Sequence, residues 1–399
     1  YYSLKSRNKN YEIENIQKVR KFMYVESYYF RDMVGINKIE MARYVYMGPG
    51  VIKELPNVIE LLELKPRSVL IFSGGEKTTS IALDTVKPLI ESSNIIVNSM
   101  NNKDLFDFIE NLPIILKNIK DLRVDLLIGV GGGRVMDITK VVSYYLKIPY
   151  ISVPTSASHD GTASPAIATP FANILRSKYG QLESIHAPHA IVADIEIISK
   201  APRETIISGV GDLVAKFTAV RDWRLAHLIK GEEFSEYAAS LALMSARLVA
   251  NRARIISTGN LEGVSVLVKA LIGSGVAISI AGSSRPASGS EHLFSHALDY
   301  LALKYGFKPN THGVQCGVGT IMMAKLHGLN WKKIKKILRT INAPVNSEEL
   351  GINPEYIVKA LSIAHTIKSN FYTVLGENGI TENAARKLAM ETGIIPLSN

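Results

Sequence analysis

The chain has 399 residues, 47% hydrophobic and 21% charged, enough apolar material for two or three domain cores and too little charge for global disorder. Lysine and arginine outnumber aspartate and glutamate by 46 to 36, a net charge of +10 that would suit an anionic partner of some kind. The basic residues are spread along the chain apart from short runs in the first 40 residues and at Lys332-Lys333-Ile334-Lys335-Lys336, and no RRM, KH or zinc-finger pattern occurs, so a nucleic-acid partner is not expected.

Residues 1–40 begin Tyr1-Tyr2, are rich in Tyr, Lys, Arg and Asn, and show little periodicity. They are expected to be a flexible extension or the product of a start placed too early, since Met33 and Met41 both precede the first organised segment. Residues 41–200 then alternate strands and helices. Val69–Ser73 is an apolar strand ending at Gly74-Gly75, followed by a helix over Glu76–Glu91. A strand at Asn94–Asn98, a helix over Lys103–Lys117 and a strand at Leu126–Val130 come next. That strand runs into Gly131-Gly132-Gly133, and a helix over Arg134–Leu146 leads to the strand Tyr150–Val153. Residues 155–190 read as loops with a hairpin before the strand Ala190–Asp194. Short apolar strands with helical crossovers predict a parallel sheet covered on both faces, Rossmann-like in class. Residues 201–399 carry almost only helical signals: 211–228, 234–255, 261–282, 290–304, 313–327, 330–341, 353–367 and 382–392. The apolar tract Val264–Gly282 contains Lys269 and several Gly and Ser, and reads as a core helix rather than a membrane span. With no leader pattern and one cysteine, Cys316, the chain is expected to be cytoplasmic and to have neither a disulfide framework nor a cysteine-built metal site.

Three segments carry candidate chemistry. The strand–turn–helix around Gly132-Gly133-Arg134-Val135-Met136-Asp137 can bring backbone close to a pyrophosphate at a helix N-terminus, although any tight βα turn uses glycine in the same way. It lacks the Gly-Lys-Ser/Thr ending of a P-loop. The loop Pro154-Thr155-Ser156-Ala157-Ser158-His159-Asp160-Gly161-Thr162-Ala163-Ser164 follows the next strand, where ligands of open α/β sheets bind. Its hydroxyls can reach a cofactor, and Asp160 can accept from a substrate hydroxyl. Third, His292 and His296 stand at i and i+4 on one helix face, and His312 follows at another helix start. Asp212, at the expected start of the first helix of the second half, adds a carboxylate. One carboxylate and two imidazoles leave an open coordination position and suit zinc, iron or nickel. Such histidines are also common as structural pairs, and spacing does not show that Asp212 reaches them.

The order of a GGGR-V-x-D turn, a PTSASHDG-x-ASP loop, a GVGD-x-x-AK segment and SRPASGSEH-x-x-x-H-x-L-D followed by T-H-G resembles the archaeal sn-glycerol-1-phosphate dehydrogenases, from about Arg43 to the C-terminus. These belong with the glycerol dehydrogenases, iron-type alcohol dehydrogenases and 3-dehydroquinate synthases. The resemblance implies a dehydroquinate synthase-like fold, with an α/β nucleotide-binding domain (41–200), an all-helical metal and substrate domain (201–399), and the active site in the cleft between them. It implies NAD(P)H-dependent reduction of dihydroxyacetone phosphate to sn-glycerol-1-phosphate, the glycerol backbone of archaeal ether lipids. The alternative within the superfamily is a glycerol dehydrogenase acting on unphosphorylated glycerol or dihydroxyacetone. By the resemblance Asp212, His292 and His312 match the metal ligands, usually zinc, and His296 and Asp160 match residues at the substrate. Gly132 to Asp137 match the pyrophosphate turn, and Thr155, Ser156, Ala157, Ser158 and Ser164 match the cofactor loop. Arg285 or Lys216 is expected to contact the phosphate. The metal activates the carbonyl in this reading, and His296 passes the proton. Asn98 and Ser99 at the expected end of the second strand permit either NAD or NADP. The resemblance further implies a homo-oligomer without stable membrane insertion.

Overall fold

Six apolar runs form one six-stranded parallel sheet in the order β1-β6-β5-β4-β2-β3: β1 (Tyr44–Gly48), β2 (Ser68–Ser73), β3 (Ile96–Asn101), β4 (Leu126–Gly131), β5 (Tyr150–Pro154) and β6 (Ala190–Asp194). The computed structural model describes residues 39–91, 95–101, 105–180, 182, 185–368 and 370–397. The expected extension at 1–40 therefore lies outside the described residues, apart from Ile39 and Glu40. Between the strands run α1 (Leu55–Leu61), α2 (Glu76–Ser80, Ile81–Val86 and Lys87–Glu91, the middle stretch π-helical), α3 (Leu105–Glu110), α4 (Leu112–Asp121), α5 (Gly133–Leu146) and α6 (Thr169–Tyr179).

Successive strand residues point to opposite faces, and both faces are covered. Val69, Ile71, Ile128 and Val153 pack on Leu55 and Val58 of α1 and on Val86 and Ile90 of α2. Leu70, Phe72, Leu127 and Tyr150 face the other way, onto Leu112 of α4, Ile138 and Val142 of α5, and Phe171 and Leu175 of α6. After β6 the described chain is helical: α7 (Ile195–Ser199), α8 (Arg203–Val214), α9 (Lys216–Lys230), α10 (Glu236–Ser257), α11 (Leu261–Ala281), α12 (Ser290–Tyr305), α13 (His312–Leu326), α14 (Trp331–Thr340), α15 (Ser347–Leu350), α16 (Pro354–Ile363) and α17 (Glu382–Glu391). The fold is thus the expected α/β half with a parallel sheet followed by an all-helical half. α11 is long and apolar enough to cross a membrane, but it packs against α10 and buries Val264, Leu267, Val268 and Leu271 in the helical core.

Four local expectations differ from the structure. Residues 155–190 hold helix α6 and, among the described residues, no hairpin; Pro170 sits at its first turn, where a missing N–H costs nothing, rather than marking a loop. The helix expected over 103–117 is divided at Asn111, because Pro113 begins α4. β3 ends at Asn101, three residues beyond the position read as its end. Asp212 lies near the end of α8, not at a helix start. Gly209 and Gly211 misled that expectation, since they serve close packing. A Cβ on Gly209 would lie 2.1 Å from the Ala157 carbonyl oxygen, and one on Gly211 would lie 2.0 Å from that of Gly313.

Strand order positions the site. From β2 the chain steps outward to β3, and it then returns to β4 and proceeds through β5 to β6 on the other side. The turns after β2 and β4 therefore diverge at a topological switch point, where open α/β sheets bind ligands. Gly74 of the first turn would place a Cβ 3.2 Å from Val135 just beyond the second.

Candidate active site

At the switch point β4 runs into α5 with Gly132 as an extended N-cap and no side-chain cap. The first-turn amides thus lack a side-chain acceptor and carry the partial positive charge that suits a pyrophosphate. Gly132 and Gly133 are partly exposed and Arg134 is exposed. Val135 and Met136 turn inward, Val135 into the apolar core and Met136 under the Ser152 hydroxyl. Asp137 is buried as well, accepting from the Ala168 amide at 3.0 Å, so it anchors the loop before α6 and does not face the opening. The turn therefore offers a cofactor mainly backbone.

The Thr155 loop crosses from this turn to the helical half. The Thr155 amide donates to the Gly131 carbonyl, and the Ser156 hydroxyl lies 3.1 Å from the place a Gly132 Cβ would occupy. Ala157 packs into the helical core, and the Ser158 carbonyl accepts from the Ser208 hydroxyl. Ser164 is fully buried with its hydroxyl unpaired. His159 was missed by the sequence reading. Its Nδ1 accepts from the Gly161 amide at 2.8 Å, and a Cβ on Gly133 would lie 1.8 Å from its Nε2. The imidazole thus lies over the glycine turn.

α8, α12 and α13 bring Asp212, His292 and His312 together. His292 Nε2 stands 3.3 Å from Asp212 Oδ1. Two ligands each about 2.0–2.2 Å from a tetrahedral ion lie about 3.4 Å apart, so the separation fits a shared metal. The His292 and His312 rings meet at 5.0 Å between centroids. Glu291 holds His292 Nδ1 at 2.8 Å and is itself fixed by Thr218, while Ser295 holds His312 Nδ1 at 3.0 Å. Each imidazole therefore has one nitrogen engaged and Nε2 left for a metal. Cys316, dismissed from the sequence, lies one turn along α13 with Sγ 3.5 Å from His312 Nε2, and it shares a donor cluster with both histidines.

Charge makes the same demand. Asp160 and Asp212 are buried beside Lys216, whose Nζ lies 2.9 Å from Asp160 and 3.2 Å from Asp212, and a third buried carboxylate, Glu291, stands on His292. Burial opposes charge on Asp212, yet Lys216 and His292 hold its carboxyl far below the usual range. Burial also disfavours charge on His292, but Cys316, Asp212 and Glu291 outweigh it and raise His292 well above an ordinary imidazole. A proton on His292 supplies the positive charge that a bound cation would bring. Burial, with His292 and His296 beside it, pushes His312 well down.

His296 stacks on His312 with a 17° tilt and faces Asp299 at 3.7 Å; burial lowers its pKa. Asp160 Oδ2 accepts from Lys216 and from the Ser274 hydroxyl at 2.7 Å, and its backbone amide donates to Asp212. No hydrogen bond to its Oδ1 is formed among the described residues. The two cations expected at a phosphate are otherwise occupied. Lys216 is fully buried between two carboxylates, and Arg285, also buried, pairs through Nε and Nη2 with Glu232 and donates to the Tyr372 carbonyl.

Residues 46–202 match the family described as iron-containing alcohol dehydrogenase. The chain is 48% identical over 359 residues to the glycerol-1-phosphate dehydrogenase [NAD(P)+] of Pyrococcus abyssi, covering 90% of this chain and 99% of that protein. It is 53% identical over 287 residues to the enzyme of that name from Korarchaeum cryptofilum, covering 72% and 91% respectively. Among solved structures, glycerol dehydrogenase from Schizosaccharomyces pombe superposes with a TM-score of 0.69 at 16% identity, covering 90% of each chain. A probable glycerol dehydrogenase from Sinorhizobium meliloti gives 0.67 at 18% identity, covering 89% of this chain and 98% of that one. The structural likenesses show the fold, the dehydroquinate synthase-like arrangement. The sequence relatives show more: the chain belongs to the glycerol-1-phosphate dehydrogenase family.

Proposed function

We propose that the chain reduces dihydroxyacetone phosphate to sn-glycerol-1-phosphate with NADH or NADPH, with zinc held by Asp212, His292 and His312. The observation that carries this reading is the meeting of these three side chains beyond the glycine turn, in a chain 48% identical to enzymes named for that product. A divalent metal bound there would supply Lewis acidity for the carbonyl, and the nicotinamide would supply the hydride. The chain's own residues do the rest. Asp160 Oδ1 accepts from a substrate hydroxyl, while Lys216 and Ser274 hold its other oxygen. Burial lowers the pKa of His296, so it can take up a proton from water and relay it to the substrate's C2 oxygen. Thr155, Ser156 and the α5 amides orient the cofactor, and Glu291 and Ser295 fix the tautomers of the two histidines. The division near residue 200 and the cleft it creates belong to this proposal, as do a homo-oligomeric state and a cytoplasmic location.

The test is oxidation of NADH and NADPH with dihydroxyacetone phosphate, before and after chelation, with the configuration of the product determined. Turnover that vanishes on chelation, returns with zinc and yields the sn-1 isomer is expected. Equal turnover with unphosphorylated dihydroxyacetone would sink the phosphate-specific reading in favour of a glycerol dehydrogenase.

A further inference from the structure

We propose that Lys368, backed by Ser284, seats the phosphate group of the substrate; this rests on the reaction proposed above. Lys368 follows α16 and the short 3-10 turn Ala364–Thr366, a segment packed against α12, the helix of His292 and His296. Its Nζ lies 3.3 Å from the Ser284 hydroxyl and 3.4 Å from the centroid of the Phe371 ring. Ser284 heads the turn that enters α12, its carbonyl accepting from the Ala287 and Ser288 amides. The Lys368 charge also disfavours a proton on His296, the proposed proton carrier.

The charges around Lys368 do not balance. Arg285, Arg176 and Glu232 are the charged groups that bear on it, from the α12 entry turn, from α6 and from the segment before α10. Glu232 is already taken, paired with Arg285 Nε and Nη2 through both carboxylate oxygens. Lys368 and Arg176 are left as two cations with no carboxylate partner among the described residues. Lys368 rests on a ring face, a weak substitute for an anion. Burial, with Arg285 and Arg176 near, pulls Lys368 down to about 7. A phosphate dianion would supply the two missing negative charges and restore the proton. One end of the substrate would then be held from the helical half by Lys368 and Ser284.

Wild type, Lys368→Met and Lys368→Arg, each loaded with zinc and NADH, are titrated with inorganic phosphate by calorimetry and assayed with dihydroxyacetone phosphate. Lys368→Met is expected to lose phosphate binding and to raise KM for the phosphorylated substrate roughly 10- to 100-fold, the usual scale for a lost charge-assisted contact. Its metal content and NADH affinity should stay at wild-type values. The wild-type KM should rise with pH above about 7 as Lys368 gives up its proton, whereas Lys368→Arg should keep a near-normal KM without that slope, because guanidinium stays charged. Unchanged phosphate binding and unchanged KM in Lys368→Met would overturn the assignment. Phosphate held through Lys368 in a protein that does not reduce dihydroxyacetone phosphate would support the anion site and overturn the reaction instead.

Discussion

Glu291 sits beside His292 in sequence, accepts from its Nδ1 and from Thr218, and so decides which imidazole nitrogen can hold a metal. Glu291→Gln keeps the shape and removes the charge. It is expected to weaken zinc affinity about 10- to 100-fold, the typical cost of losing such a supporting carboxylate. Metal content after dialysis against graded chelator checks this, and wild-type retention would show the contact to be incidental. Lys368 predicts a stability effect of opposite sign to its role in binding. Its pKa of about 7 lies below the unfolded lysine value near 10.4, so the unfolded chain binds more protons across that window and stability rises with pH from about 7 to 10. In phosphate-free buffer Lys368→Met should therefore melt above wild type at pH 7, with the gap closing toward pH 10. Melting curves at both pH values measure it.

At the level of elements, the site is a crossing of helices whose separation is set by glycine. Gly211 of α8 and Gly313 of α13 let the two helices approach until a single added methyl would strike backbone. Gly211→Ala should destabilise the fold by about 1–3 kcal/mol through overpacking. It should also deplete bound metal, because α8 carries Asp212 and α13 carries His312. Thermal unfolding and metal analysis of the same sample test both halves of the expectation. At the turn between β4 and α5, Gly133→Ala would drive a Cβ into the His159 ring. A raised KM for NADH with normal zinc content is expected, and cofactor titration measures it. Pro170 and Pro113 show why helix limits were read less well than helix existence. Proline opens a helix as readily as it ends one, and only the neighbouring layer says which.

Over the whole molecule, a net charge of +10 raises the local concentration of a phosphorylated substrate and has no such effect on a neutral one. The kcat/KM for dihydroxyacetone phosphate should fall several-fold between about 10 and 150 mM salt, over which the screening length shrinks from about 30 to 8 Å. A flat profile would remove long-range attraction from the account. Much of this protein was legible in its sequence. Short continuous apolar runs separated by helical crossovers determined a parallel sheet, because only a sheet covered on both faces can bury such strands. The glycine turn, the Thr155 loop and the histidines at i and i+4 were visible as local patterns. Spacing did not show whether Asp212 reaches His292, that Lys216 is consumed by two carboxylates and Arg285 by Glu232, or that Lys368 stands beside a serine turn with no carboxylate partner among the described residues. Those are relations between segments far apart in the chain. Only tertiary packing decides which charges meet, and burial then decides how strongly each pairing counts.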